Sequence, residues 1–245
     1  MCGTCGCGHP DVEVNLLLQQ PHALPLKPAV GGKTILKVEQ DILSKNQLIA
    51  RQNRRLFKEK NILALNLVSS PGSGKTALLE RTLRDLRGKK EYFVIEGDQQ
   101  TRNDADRIAT TGAKVVQINT GKGCHLEADM IQRAVEELNP SEESVLFIEN
   151  VGNLVCPAMF DLGETARVVI ISVTEGDDKP LKYPDMFHSS QLCIINKTDL
   201  LPYVDFNVEK VKEYARRVSH ITRFIEVSAT TGEGMDEWYR WLETQ

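Results

Sequence analysis

From residue 62 onward, short apolar runs alternate with longer stretches of helical character. The runs are ILALNLV (62–68), YFVIE (92–96), KVVQI (114–118), SVLFIE (144–149), RVVIISV (167–173), QLCIIN (191–196) and RFIEVS (223–228). They are rich in Val and Ile and nearly continuous in hydrophobicity, which suits strands covered on both faces rather than strands with one wet side. The helical stretches fall at 75–87, 103–111, 126–138, about 207–218 and 234–243. Strands alternating with helices predict an α/β fold, a doubly wound and mostly parallel sheet flanked by helices. No internal repeat interrupts the series, so one domain over 61–245 is expected. Ahead of it, Ile35, Val38, Ile42, Ile49, Leu56 and Phe57 recur at helical spacing without Pro or Gly, which predicts a lead-in over 34–60 of one long helix or two shorter ones. Residues 1–33 carry Pro10, Pro21, Pro25 and Pro28 with little periodicity and read as a flexible tail.

The segment LNLVSSPGSGKTALL sets a glycine-bearing loop between a predicted strand and a predicted helix, the context of a phosphate-binding loop. Gly72 and Gly74, with Ser73 between them, let backbone amides surround phosphates. Lys75 is placed to meet the β and γ oxygens, Thr76 to bind Mg²⁺, and the helix start adds its dipole. Ser69 stands where the first glycine of GxxxxGK(S/T) is usual, but GSGKT is intact at the turn. Downstream, NKTD (196–199) follows the run QLCII, so Asn196, Lys197 and Asp199 emerge at a carboxyl strand end, where open parallel sheets bind ligands. A carboxylate at Asp199 accepts from the N1 and N2 donors of guanine and would face an acceptor on adenine, which argues for GTP and GDP over adenine nucleotides. Ser228 and Ala229, in SAT after RFIEV, fit the further loop that supports the base in GTPases.

Two strand ends are acidic. VIEGDQQT presents Glu96 and Asp98, and LFIENVGNL presents Glu149 and Gly152, like a DxxG element with Glu in place of Asp. Asp98 is the preferred residue to hold Mg²⁺ or orient the attacking water, and Glu149 competes for the role. A merely solvated acidic loop end is the plain alternative for each.

Cysteine placement adds metal chemistry. Cys2, Cys5 and Cys7 lie within one glycine-punctuated segment able to wrap a single ion, and three soft thiolates suit Ni²⁺, Zn²⁺ or Cu⁺. A redox pair is the alternative reading of that CxxC. Cys124 and His125 sit before a predicted helix and Cys156 lies seven residues beyond Glu149, so all three fall on loops at the nucleotide edge. Buried thiols with a capping histidine would be the bland account of this set. Cys193, inside a strand, is assigned to packing, and His22, His188 and His220 have no partner pattern.

Composition narrows the partners. The hydrophobic fraction of 41% and charged fraction of 26% are those of a globular chain, and no apolar stretch reaches the ~20 residues of a spanning helix. A formal charge of −4 with no basic block makes neither nucleic acid nor membrane an expected partner. The amino terminus lacks a secretory pattern, so a cytoplasmic location with reduced thiols is expected.

Taken together, CGTCGCG, SSPGSGKT, EGDQQT, NTGKGCHLEADM, FIENVGNLVCP, SVTEGDDKPLKYP and NKTDLLPY resemble the HypB family of hydrogenase nickel-incorporation GTPases. The likeness runs from about residue 35 to the end and includes the cysteine tip; its most specific part is the pairing of GCHLEADM with ENVGNLVCP. The resemblance implies a SIMIBI-class P-loop NTPase fold and GTP hydrolysis coupled to nickel insertion into [NiFe]-hydrogenase. It implies a HypA-type nickel accessory protein and the hydrogenase large-subunit precursor as partners. It further implies that Cys124, His125 and Cys156 form a nucleotide-responsive Ni²⁺/Zn²⁺ site at the interface of a GTP-promoted homodimer, and that Cys2, Cys5 and Cys7 form a separate nickel site. Leu200 and Val204 match dimer positions, and Lys179 or Lys182 would reach nucleotide across the dimer. The tail lacks the histidine-rich run of storage-capable members, which weakens the competing reading of a nickel or zinc storage protein with nucleotide-controlled dimerisation.

Overall fold

Seven parallel strands stand in the order β3-β2-β4-β1-β5-β6-β7. The computed structural model describes residues 32–99, 103–219 and 223–245, and side chains from residue 40 onward within the first span. The strands are β1 (Leu63–Ser69), β2 (Tyr92–Asp98), β3 (Lys114–Asn119), β4 (Val145–Glu149), β5 (Ala166–Ser172), β6 (Leu192–Asn196) and β7 (Arg223–Glu226). The helices are α1 (Gly32–Glu59), α2 (Lys75–Asp85), α3 (Asn103–Ala109), α4 (Ala128–Leu138), α5 (Lys179–Lys182), α6 (Pro184–Ser189), α7 (Val208–Val218) and α8 (Met235–Glu243), with 3₁₀ turns at Cys156–Met159 and Thr198–Tyr203. This is the doubly wound α/β fold that the hydrophobic pattern predicts. The central strand β1 has β2, β3 and β4 on one flank and β5, β6 and β7 on the other, so the loops leaving β1 and β4 meet where the winding reverses.

Continuous hydrophobicity follows from burial on both faces. In β4, Val145 and Phe147 pack toward Leu79, Trp238 and Trp241, while Leu146 and Ile148 pack toward Phe57, Ile131 and Val135. A third cluster joins Val169, Ile171, Cys193 and Ile195 to Phe187 and Val211. The Trp238 indole N–H, buried in the first layer, donates to Thr82 Oγ1 at 2.9 Å and so leaves no orphan donor.

The lead-in is one continuous helix. Its polar face is specific where it meets the domain: Asn53 Nδ2 donates to the carbonyls of Ala128 (2.8 Å) and Leu162 (3.0 Å), and Asn46 Oδ1 accepts from Ala128 N–H at 2.8 Å. Helix α1 therefore anchors the start of α4, the element that follows Cys124 and His125.

Sequence periodicity placed α4 two residues too early, since the Leu126 N–H is taken by Asn150 Oδ1 at 3.3 Å rather than by a helical turn. The short helices α5 and α6, each with a proline in its first turn, span too few residues for a helical period to show. Among the described residues, no helix is long and apolar enough to cross a membrane.

Candidate functional site

The loop from β1 to α2 is shaped by two glycines in the left-handed region, Gly72 at φ 77° and Gly74 at φ 88°. A Cβ on Gly74 would also stand 2.5 Å from Asn196 Nδ2, so backbone strain and space both demand glycine there. Ser69, in place of the customary glycine, is buried at the end of β1 and its hydroxyl donates to Ser70 O at 2.8 Å. Helix α2 starts at Lys75 with Gly74 as its N-cap and no side-chain cap, which leaves its first amides directed at the loop's interior. A cavity of about 470 Å³ opens there, lined by Gly72, Lys75, Thr76, Glu96, Asp98 and Gly152 among others.

The loops after β6 and β7 are bolted to this turn. Asn196 Nδ2 donates to Ser73 O at 3.0 Å, while its Oδ1 accepts from Ala229 N–H at 3.2 Å. Lys197, itself at φ 64°, donates to Gly72 O at 2.7 Å. Ser228 Oγ donates to Asp199 Oδ1 at 2.6 Å, which fixes the half-buried carboxylate. All ten residues singled out for nucleotide therefore fall at one edge of the sheet.

Two further side chains grip the loop: Glu175, which was not singled out in the sequence, and Lys179, which was expected to act across a dimer. Glu175 Oε1 accepts from Ser73 Oγ at 2.6 Å and from Ser172 N–H at 3.1 Å. Lys179 pairs with Glu175 at 2.9 Å and donates to Ser70 Oγ at 2.9 Å. Lys182 instead pairs with Asp178 on the surface at 2.8 Å. The only hint of Glu175 is its place just past a strand end within TEGDD, because its partner on the loop, Ser73, lies 102 residues away.

At the acidic strand ends, Glu149 occupies the position closest to the phosphate loop. One of its oxygens accepts from Lys75 Nζ at 2.8 Å and from Thr76 Oγ1 at 2.6 Å. Glu96 is its cross-strand neighbour on β2, and Gln117 is in register with Glu96 on β3. Asp98 closes β2 two residues on and lines the same cavity. Glu96 and Glu149 are 2% and 1% exposed, and Oε2 of each lacks a hydrogen-bond donor. Burial, reinforced by Glu149 and Asp98, pushes the Glu96 carboxyl up to about 7. Hard oxygen donors from Thr76, Asp98 and Glu149, with buried carboxylate oxygens unpaired, fit Mg²⁺.

Cys124, on the loop from β3 to α4, His125 beside it and Cys156 at the head of the first 3₁₀ turn bring their ligand atoms within 4.8 Å of one another. The two sulfurs are 2.7 Å apart and Cys124 Sγ is 3.7 Å from His125 Nδ1. His125 is buried and stacked on Phe160, with centroids 3.9 Å apart. Burial lowers its pKa, so at neutral pH the ring is uncharged and offers a lone pair. Phe160 is held in turn by Arg167, whose guanidinium donates to Phe160 O at 2.9 Å and to Ala158 O at 3.2 Å and pairs with buried Glu164.

One residue joins this cluster to the nucleotide edge. Asn150 follows Glu149 directly; its Oδ1 accepts from Leu126 N–H at 3.3 Å and Val151 N–H at 3.0 Å, and its Nδ2 donates to Asn66 Oδ1 at 3.2 Å. Asn153 adds a second tie, donating to Cys124 O at 3.3 Å. Cys193 is fully buried in β6, where burial pushes its thiol up, in keeping with a packing role. Cys2, Cys5 and Cys7 lie outside the described residues.

Residues 63–226 match the family described as CobW/HypB/UreG, nucleotide-binding domain. A hydrogenase maturation factor HypB of Rhizobium leguminosarum bv. viciae is 59% identical over 216 residues, spanning 88% of this chain and 72% of that protein. Crystal structures of HypB from Archaeoglobus fulgidus and of HypB from Helicobacter pylori in complex with nickel each superpose with a TM-score of 0.77 at 39% identity. Each covers 82% of this chain, and 98% and 94% of the respective relatives are matched. With a phosphate-type loop, the NKTD loop bound to it and a Cys-His-Cys cluster on one edge of a seven-stranded parallel sheet, the chain belongs to the HypB family of hydrogenase maturation factors.

Proposed function

We propose that this chain is a GTP-hydrolysing metallochaperone in which nucleotide state sets the hold on a metal ion, nickel, at Cys124, His125 and Cys156. The observation that carries the reading is the Asn150 carboxamide, one residue from Glu149 and hydrogen-bonded to the N–H of Leu126, next to His125. Lys75 and Thr76 both rest on Glu149. Phosphate oxygens draw Lys75 toward the loop amides, and Glu149 loses its cation. Thr76 and Asp98, beside Glu149, would hold Mg²⁺, which would offset the phosphate charge. Glu149 or Asp98 orients the attacking water. Any shift of Glu149 moves Asn150, and with it the backbone that carries Cys124 and His125.

Thiolate and imidazole ligands accept Ni²⁺ and Zn²⁺ alike, and three ligands leave a position open for transfer. Val155 and Met159, 51% and 46% exposed on either side of Cys156, would be covered in a GTP-promoted homodimer that also uses Leu200 and Val204. Either Lys179 or Lys182 would then reach the partner's nucleotide. The tail over 1–33, with nickel on Cys2, Cys5 and Cys7, would form a second metal site separate from that of the domain over 61–245. A HypA-type accessory protein and the [NiFe]-hydrogenase large-subunit precursor complete the route in the cytoplasm. The nickel complex of the Helicobacter pylori relative supports the choice of metal.

Linkage makes the reading testable: if GTP changes Ni²⁺ affinity, Ni²⁺ changes GTP affinity by the same factor. Titration of each ligand at saturating levels of the other is expected to give equal, non-unit factors. Independence in both directions would refute the coupling.

A further inference from the structure

We propose that His125 grips the metal through Nδ1 and that Glu127 is its positioning partner, accepting the Nε2–H from the far side of the ring. This rests on the reading of Cys124, His125 and Cys156 as a metal site. It adds which nitrogen binds and what holds the ring.

Three observations converge. First, the two ring nitrogens face different chemistry: Nδ1 lies 3.7 Å from Cys124 Sγ, whereas Nε2 lies 3.6 Å from Glu127 Oε1. Buried Nε2 has no hydrogen-bond partner among the described residues, and the stack on Phe160 restrains the ring. A metal drawn into the thiolates therefore meets Nδ1, and closure by about half an ångström gives Nε2–H a carboxylate acceptor at ordinary hydrogen-bond length.

Second, Glu127 is spared the task its position would normally impose. It is the N-cap of α4, yet makes no side-chain cap bond. The Met130 N–H that such a cap would serve is taken by the backbone oxygen of Glu127 itself at 3.1 Å, and Ala128 N–H by Asn46 on α1. Third, among the described residues the only ion-pair partner of Glu127 is His125. A carboxylate behind a ligating imidazole fixes the tautomer and strengthens the donor nitrogen, and loss of such partners costs roughly 10–100-fold in metal affinity.

The test uses the full chain with Cys2, Cys5 and Cys7 replaced by serine, so that only the Cys124–His125–Cys156 site reports. Ni²⁺ and Zn²⁺ affinities are measured by chelator competition for this protein and for Glu127→Ala, Glu127→Gln and His125→Ala. Guanine-nucleotide affinity serves as the fold control. Long-range ¹H–¹⁵N spectra of the Zn²⁺-loaded protein identify the bound nitrogen. Expected are metal on Nδ1 with a protonated Nε2, a roughly 10–100-fold loss in Glu127→Ala, a smaller loss in Glu127→Gln, and unchanged nucleotide affinity. Metal on Nε2, or a loss in Glu127→Ala below that range, overturns the inference while the site itself stands. Undiminished affinity in His125→Ala would instead remove the site, and the inference with it.

Discussion

Replacing Asn150 by alanine cuts the shortest covalent and hydrogen-bonded path between Glu149 and the metal cluster. The carboxamide is 1% exposed and makes three hydrogen bonds, to Leu126 N–H, Val151 N–H and Asn66 Oδ1, at 3.3, 3.0 and 3.2 Å. An unsatisfied buried group costs about 1–3 kcal/mol. Asn66 retains its bond to Glu164 Oε1, and the two longest of the three contacts are near the weak end of the range. A total of roughly 2–4 kcal/mol is therefore expected. At about 2–4 °C per kcal/mol for a domain of this size, Tm should fall by roughly 4–16 °C, and a domain stable by about 5–15 kcal/mol should remain folded near room temperature. Thermal unfolding by circular dichroism gives the first number, and Ni²⁺ competition with GDP and with a non-hydrolysable GTP analogue gives the second. Couplings of this kind are typically about 1–3 kcal/mol, a 5–150-fold ratio of affinities, and Asn150→Ala should bring the ratio close to one. A lowered Tm with the wild-type ratio intact would show that Asn150 only supports the fold, and the proposed path would be wrong.

Two other substitutions probe separate parts of the site. Asp199→Asn replaces one acceptor for guanine by a donor; with about 1.5–3 kcal/mol for each charge-assisted bond, GDP binding should weaken by about two orders of magnitude while thermal stability is retained, as isothermal titration and unfolding will tell. Equal binding of GDP by variant and parent would disprove the assigned base contact. Glu96→Gln addresses pH: the folded-state value of about 7 lies above the ordinary carboxyl value, so the folded protein holds a proton that the unfolded chain releases, and stability falls as pH rises between about 4.5 and 7. The amide should abolish that slope in the nucleotide-free protein and be worth roughly 3 kcal/mol above pH 7. A slope that persists in urea titrations of Glu96→Gln would contradict this.

What could be read from the chain alone follows from where each signal originates. The strands were legible because burial on both faces writes itself into contiguous residues such as Val168–Val173. The phosphate loop was legible because strand, glycines, lysine and helix are sequential. The common edge of Cys124, His125 and Cys156 followed from their positions after strands, although 31 residues separate His125 from Cys156. Residues whose partners are remote were not legible. Glu175 grips Ser73 from 102 positions away, and Asn46 closes the start of α4 from 82. Side-chain reach was not legible either: parallel register puts Glu149 beside Glu96, but only the fold shows Lys75 and Thr76 resting on it.

The central claim is that nucleotide turnover governs metal delivery. It is tested most directly by following nickel transfer from the loaded full chain to a purified nickel acceptor with GDP, with GTP and Mg²⁺, and with a non-hydrolysable analogue, in parent protein and in Lys75→Ala. The account predicts that rate or extent differs among the three nucleotides in the parent and is indifferent to them in Lys75→Ala. Transfer that is the same under all three conditions in the parent would contradict it.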